Sequence, residues 1–368
     1  MKSILYVGMD VHILNYTLCC YDFEKDEVFA ITTVQPDVRH ILSYLERVKR
    51  NYPGYEILCG YEAGTLGYSL HRQLLSHGIH CIILAPTTMP RTSKQRIKTD
   101  RRDAANIARC LAYNTYGAVY VPTEEDNAVK EYIRMRDDEK DTLKKLKQRI
   151  LSFCARHGKH YTEGSNWTQK HLAWINKLDF GQGVLQEAFR EYLALFYRAS
   201  ESVALFDRRI EELAQGKNYN EKVRKLICFI GVKAHTALAA IVETGDFNRF
   251  RTADHYASYL GLVPGENSSG SSTQRTGITK AGNSHVRKLL IEAAQCYGRG
   301  RVGTKSKALA VRQAGNERNV IAYADKANDR LRRKFYKIMF RSKRNIAATA
   351  VARELACFFW GMMTGNIA

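Results

Sequence analysis

Residues Ser3 to Val11 (SILYVGMDV) form a β-rich run with a carboxylate, Asp10, near its end, and the order of the segments behind it decides the fold. Tyr16 to Asp22 (YTLCCYD) and Glu27 to Val34 (EVFAITTV) follow at hairpin distances with polar turn residues between them. A helix is predicted from Asp37 to Lys49, a buried strand over Glu56 to Glu62 (EILCGYE), a helix over Leu66 to Leu75, and a second buried strand over His80 to Ala85, stopped by Pro86. The order is β-β-β-α-β-α-β-α.

Three antiparallel strands followed by right-handed crossovers onto parallel ones are the layout of a ribonuclease H-like α/β domain. In that layout the first strand lies beside the fourth, which brings Asp10 near Glu62. Further on, Arg96 to Ala104 (RIKTDRRDA) places Asp100 and Asp103 inside a basic run: from Arg91 to Arg109 there are seven Lys/Arg and only these two acids. On the first turn of a helix, i,i+3 spacing puts both on one face. The four acids then form an Asp-Glu-Asp-Asp set able to hold one or two Mg²⁺ ions about 4 Å apart, as phosphoryl transfer requires. Taken singly each acid has a plainer reading. Asp100 and Asp103 suit a solvated helix start, and Glu62 could cap the helix after it.

The net charge of +20 and pI near 9.5 call for a polyanionic partner, nucleic acid or an anionic membrane surface. No apolar run reaches the roughly 18 to 20 residues of a membrane span, and the opening residues are interrupted too early for a signal peptide. Nine cysteines without a C-x₂-C pair argue against zinc and against a disulfide framework. They suit reduced, buried thiols in a cytoplasmic protein.

A long helix should start at Thr123 and run toward Arg156, and a second should begin near Gln182. In the second, Leu185, Phe189, Tyr192, Phe196, Ala199, Val203, Phe206, Ile210 and Leu213 repeat at 4-3 spacing, either as a coiled-coil dimer seam or as an amphipathic helix packed within its own chain. The length of 368 residues and the composition shifts give three segments: 1–120, a helical spacer over 121–218, and a mainly helical 219–368. In the last, Val223 to Gly231 and Ala234 to Glu243 read as short helices about a glycine turn. Tyr259 to Asn283 (YLGLVPGENSSGSSTQRTGITKAGN) is Gly/Ser-rich, by composition a linker, yet it carries Arg275 and Lys280 and leads into the basic helix with Arg287 and Lys288. Arg299 to Arg344 holds fifteen Lys/Arg against three acids, Arg332, Arg333 and Lys334 among them, with aromatic residues interleaved that could stack on unpaired bases.

Asp10 in GMDV, Glu62 in YEAG, Asp100 and Asp103 in KTDRRDA, then GLVPGENSSG, GITKAGN and VRKLL resemble the DEDD insertion-sequence transposases of the insertion sequence 110 and 1111 group, over nearly the whole chain. The resemblance implies a RuvC-like domain, a coiled-coil dimerisation segment and a C-terminal transposase domain that supplies a serine nucleophile. The serine before glycine in the family's motif maps to Ser269, with Ser268 its neighbour, and the sequence departs at Gly265, where the family commonly has a basic residue. It further implies Mg²⁺ on the four acids, donor and target double-stranded DNA, a non-coding bridge RNA, and a dimer or tetramer. Arg96, Lys98, Arg101, Arg102, Arg275, Lys280, Arg287, Lys288, Arg332, Arg333 and Lys334 are the expected nucleic-acid contacts. The alternatives are a metal-dependent nuclease using water, and a non-catalytic nucleic-acid-binding protein.

Overall fold

The computed structural model describes residues 3–90, 99–181, 183–269 and 272–367, with the backbone alone for 267–269 and 272–275. It divides into two compact units, Met1–Val121 and Pro122–Ala368.

The first unit is built on five strands, β1 (Ile4–Val11), β2 (Tyr16–Asp22), β3 (Glu27–Val34), β4 (Glu56–Glu62) and β5 (Cys81–Leu84), in the spatial order β3-β2-β1-β4-β5. The first three pair antiparallel, whereas β4 pairs parallel to both β1 and β5. Alternation along β1 sorts its side chains. Leu5, Val7 and Met9 are fully buried against α1 (Val38–Asn51) and α2 (Ser69–Ser76) through Ile41, Leu45, Leu70 and Leu74. The other face takes α3 (Asp100–Ala112), whose Ala104 and Ala108 pack with Cys19 and Tyr21 of β2. A Cβ at Gly8 would lie 2.0 Å from the Ala104 carbonyl oxygen and 2.5 Å from the Ala108 nitrogen. Only glycine lets helix backbone rest on the strand there.

Among the described residues the second unit is helical apart from one hairpin. Its long helices α4 (Glu124–Arg156) and α6 (Val184–Gln215) pack on each other, with α5 (Gln169–Asn176) beside them. Thr123 caps α4 by accepting from the Asp126 N–H at 3.0 Å. Phe189 and Phe196 of α6 bury against Ile150 and Phe153 of α4, and Ile210 joins Val129 and Ile133. The 4-3 repeat is thus used within the chain. α7 (Asn220–Leu226), α8 (Ala234–Thr244), α9 (Ala253–Tyr259), α10 (Ser284–Ala294), α11 (Lys307–Gln313), α12 (Arg318–Met339) and α13 (Arg344–Thr364) complete the unit. Helix α13 is long and apolar enough to cross a membrane, but half of its most apolar window is buried, with Val351, Leu355 and Phe359 at zero exposure in the helical core. All nine cysteines are free and seven are buried.

Asp137 of α4 ties four helices together. Arg136 donates to it at 2.7 Å and to Asp207 of α6 at 2.7 Å. His235 of α8 and His285 of α10 stand 3.0 and 3.1 Å from its two oxygens, at ion-pair distance but off the hydrogen-bonding angle. Burial acts to raise the Asp137 carboxyl, yet these two imidazoles and Arg136 more than offset it and hold it well below the usual range.

Gly8→Val destabilises the protein by about 3 kcal/mol through overpacking, while Gly64→Ala, whose Cβ meets nothing nearer than 3.9 Å, stays within about 0.5 kcal/mol; urea denaturation of the full chain reads both. A depressed carboxylate contributes stability that is present above its unfolded value of about 3.9 and is lost as pH falls below it. Asp137→Asn is therefore expected to cost about 3 kcal/mol at pH 7 and to flatten the loss of stability below pH 4. An unchanged melting temperature at pH 7 would contradict this.

Candidate active site

Asp10 lies on the α3 face of β1, its side chain 13% exposed. Beyond it the chain turns, closed by the His12 N–H donating to the Asn15 carbonyl at 2.9 Å. The turn brings His12 Nε2 to 3.2 Å from both Asp10 carboxylate oxygens. Above them α3 begins: Thr99 caps it, accepting from the Arg102 N–H at 3.4 Å, and Asp100 and Asp103 occupy its first turn. Ligand atoms of Asp10, His12 and Asp100 fall within 4.8 Å of one another. Burial raises the Asp10 carboxyl, His12 opposes that, and the charges of Asp103 and Asp100 add to the rise. The pocket disfavours its own negative charge, which is the condition a cation relieves.

Glu62 stands one strand over. The pairs Gly8↔Gly60 and Met9↔Tyr61 lead to Asp10 and Glu62 as the next residues on the two parallel strands. Cys59 and Tyr61 face the α1/α2 core, so alternation sends Glu62 to the α3 side with Asp10. It and Asp103 lie outside the 4.8 Å group. Two carboxylates and an imidazole fit a divalent cation: carboxylate oxygens suit Mg²⁺ or Mn²⁺, and the imidazole favours the transition metal. His12 escaped the reading of the sequence, although Asp10-Val11-His12 directly after a strand was the available signal.

The Gly/Ser-rich stretch is a hairpin, not a linker. β6 (Pro264–Ser269) pairs antiparallel with β7 (Ser272–Ile278), with Ser269↔Ser272 the last pair toward the tip. The side chains of Ser268, Ser269 and Arg275 lie outside the described atoms, as do residues Arg96 and Lys98. The hairpin's base is built closely. A Cβ at Gly282 would meet the Tyr259 carbonyl oxygen at 1.9 Å, and one at Gly261 the Ala281 oxygen at 2.2 Å, with both glycines at positive φ. Arg287 bridges the two stems, donating to the Leu260 and Ala281 carbonyls at 2.8 and 2.9 Å. Asn283 caps α10 and donates to Glu243 at 2.8 Å, and Glu243 in turn takes a bidentate pair from Arg134 of α4 at 2.7 and 3.0 Å.

The remaining cations differ in availability. Arg101, Arg102, Lys280 and Arg333 are exposed. Lys280 holds φ +57, a conformation in which lysine is uncommon. Lys288 reaches Asp141 at 3.3 Å and Lys334 reaches Glu354 at 2.6 Å. Arg287 and Arg332 are committed inside the fold. The latter is buried and donates to the Arg301 and Thr304 carbonyls, a structural role in place of a nucleic-acid contact.

A strand-end carboxylate under a helix that starts with two more acids is an arrangement that suits a divalent cation, and the chain's charge suits a nucleic-acid partner. Residues 7–156 match a DEDD transposase family model, and residues 218–306 match the transposase IS116/IS110/IS902 family. The chain is 33% identical to the transposase for insertion sequence element IS1533 of Leptospira borgpetersenii, over 94% of this chain and 99% of that protein. It is 25% identical to the transposase for insertion sequence element IS1111A of Coxiella burnetii, over 89% and 88%, and 23% identical to the pilin gene-inverting protein of Moraxella bovis, over 81% and 84%. The chain belongs to the IS110-type DEDD insertion-sequence transposases.

If His12 orients Asp10 and shares in metal binding, His12→Ala lowers metal-dependent DNA cleavage by about 10- to 100-fold, whereas Asp10→Ala abolishes it. Cleavage rates at saturating Mg²⁺ and Mn²⁺ measure this, and a His12→Ala rate equal to wild type would remove His12 from the site.

Proposed function

We propose that this transposase exchanges strands between donor and target double-stranded DNA through a phosphoserine intermediate, guided by a bridge RNA. The observation that carries the reading is the convergence of Asp10, Asp100 and His12 at one strand end, in a chain whose other unit bears a serine hairpin on a closely packed base. Asp10 and Asp100, with Glu62 and Asp103 beside them, would hold Mg²⁺, which when bound offsets the charge of a phosphodiester. Desolvation of Asp10 and the charges around it make that binding favourable.

The Ser269 hydroxyl oxygen attacks the scissile phosphorus, the P–O bond to the departing strand breaks, and the proton passes to the released alkoxide. The resulting phosphoserine diester keeps the bond's energy, so a second strand's hydroxyl can displace the serine without ATP. The Moraxella relative is named for inverting a pilin gene, an outcome in which cut strands are rejoined. The net charge of +20 supports nucleic-acid partners, and the two DNAs that must meet support a dimer or tetramer, in the cytoplasm.

The test incubates protein, the element's flanking RNA, labelled DNA and Mg²⁺, and resolves products on a denaturing gel. The reading predicts a protein-linked DNA band that disappears in Ser269→Ala and in Asp10→Ala, persists in Ser268→Ala, and requires the RNA. Cleaved DNA without such a band, undiminished in Ser269→Ala, would identify a nuclease that uses water.

A further inference from the structure

The helical core of the second unit carries a cleft lined by no residue of the hairpin. Arg330, Arg333, Lys334, Lys337 and Arg341 follow at helical spacing along and just beyond α12, and line a groove of about 570 Å³. The eleven residue steps from Arg330 to Arg341, at helical rise, make this stripe about 16 Å long. Glu354 of α13 accepts from Arg330 and, at 2.6 Å, from Lys334. Arg333, Lys337 and Arg341 have no carboxylate partner among the described residues.

The groove shares Arg330, Lys334 and Glu354 with a cavity of about 410 Å³ whose other walls include Tyr323, Phe358, Trp360, Arg353, Asp254 and Asn366. Tyr323 and Phe358 meet edge to face at 5.6 Å. Gly361 makes room for them, since a Cβ there would lie 2.2 Å from the Tyr323 hydroxyl. Trp360 is fixed by its Nε1–H, which donates to the Phe250 carbonyl at 3.2 Å. Arg353 pairs with Asp254 at 2.8 Å through one nitrogen, while its buried Nε has no hydrogen-bond partner. At the far end of the stripe, Phe340 is 91% exposed beside Arg341.

A trough of cations opening into an aromatic-walled cavity with polar groups on its rim is the chemistry of a single strand: phosphates on the charges, a base against the rings. The cavity lies within the size range of small-ligand sites, and a base can enter it only when unpaired. We propose that this cleft binds an unpaired stretch of nucleic acid, its phosphates along α12 and one base in the cavity between α12 and α13. The proposal is independent of the serine chemistry.

The test measures binding of the full-length protein to fluorescent 12-residue oligonucleotides, ribo and deoxy, each also made with central abasic positions, and to the matching duplex. Phe358→Ala is expected to weaken binding of the intact single strands about tenfold, within the range for loss of one stacked base, and to leave the abasic strands unchanged. Arg333→Ala with Lys337→Ala, both at the surface, should lower the slope of log affinity against log salt by about 1.4; this variant decides the matter if Phe358→Ala melts early. Tighter ribo binding names RNA as the occupant, and equal or tighter deoxy binding names a DNA strand, either one supporting the cleft. Wild-type affinity and salt slope in the surface variant, or equal loss of abasic and intact strands in Phe358→Ala, would overturn it.

Discussion

The contact on which the first unit depends is the seating of α3 on Gly8. With a Cβ position 2.0 Å from the Ala104 oxygen, helix backbone and strand backbone touch without a side chain between them. The close approach sets the height at which α3 begins, and with it the position of Asp100 over Asp10. The helix N-terminus offsets part of the negative charge gathered there, but burial and neighbouring acids still raise Asp10. A site built this way has geometry fixed by the fold and charge left for a cation to balance.

The second unit fixes its hairpin by a different means. Its stems are held by carbonyls packed onto glycines and by Arg287, and Asn283 passes the restraint through buried Glu243 to Arg134 on α4. Glu243 is the buried partner of this pair, and removing the cation that meets it is costly. The arrangement holds the register of the hairpin's two stems.

Alternation and turn residues made the five strands and their order readable, since the side chains of SILYVGMDV divide between two packed faces. Of the four acids expected together, Asp10 and Asp100 come within ligand distance of each other and of His12, while Glu62, on the strand beside Asp10, and Asp103 lie outside that group. His12 was not readable, because its role depends on a turn that folds it back onto Asp10. The hairpin at Pro264–Ile278 was hidden by its Gly/Ser composition, which resembles a linker until the glycines are seen at close backbone contacts. The 4-3 repeat of α6 left open which helix covers it, and the partner proved to be α4 of the same chain. Arg287 and Arg332 show the limit of counting cations, because both are held by backbone carbonyls within the fold.

The central claim, a divalent-cation site at Asp10 and Asp100, is tested most directly by replacing the metal with Fe²⁺ and mapping the hydroxyl-radical cuts that ascorbate and peroxide then produce in the chain. The account predicts backbone cuts concentrated around residues 10–12 and 99–103, suppressed by excess Mg²⁺ and lost in Asp10→Asn. Cuts confined to other segments, or a pattern unchanged by Asp10→Asn, would contradict it.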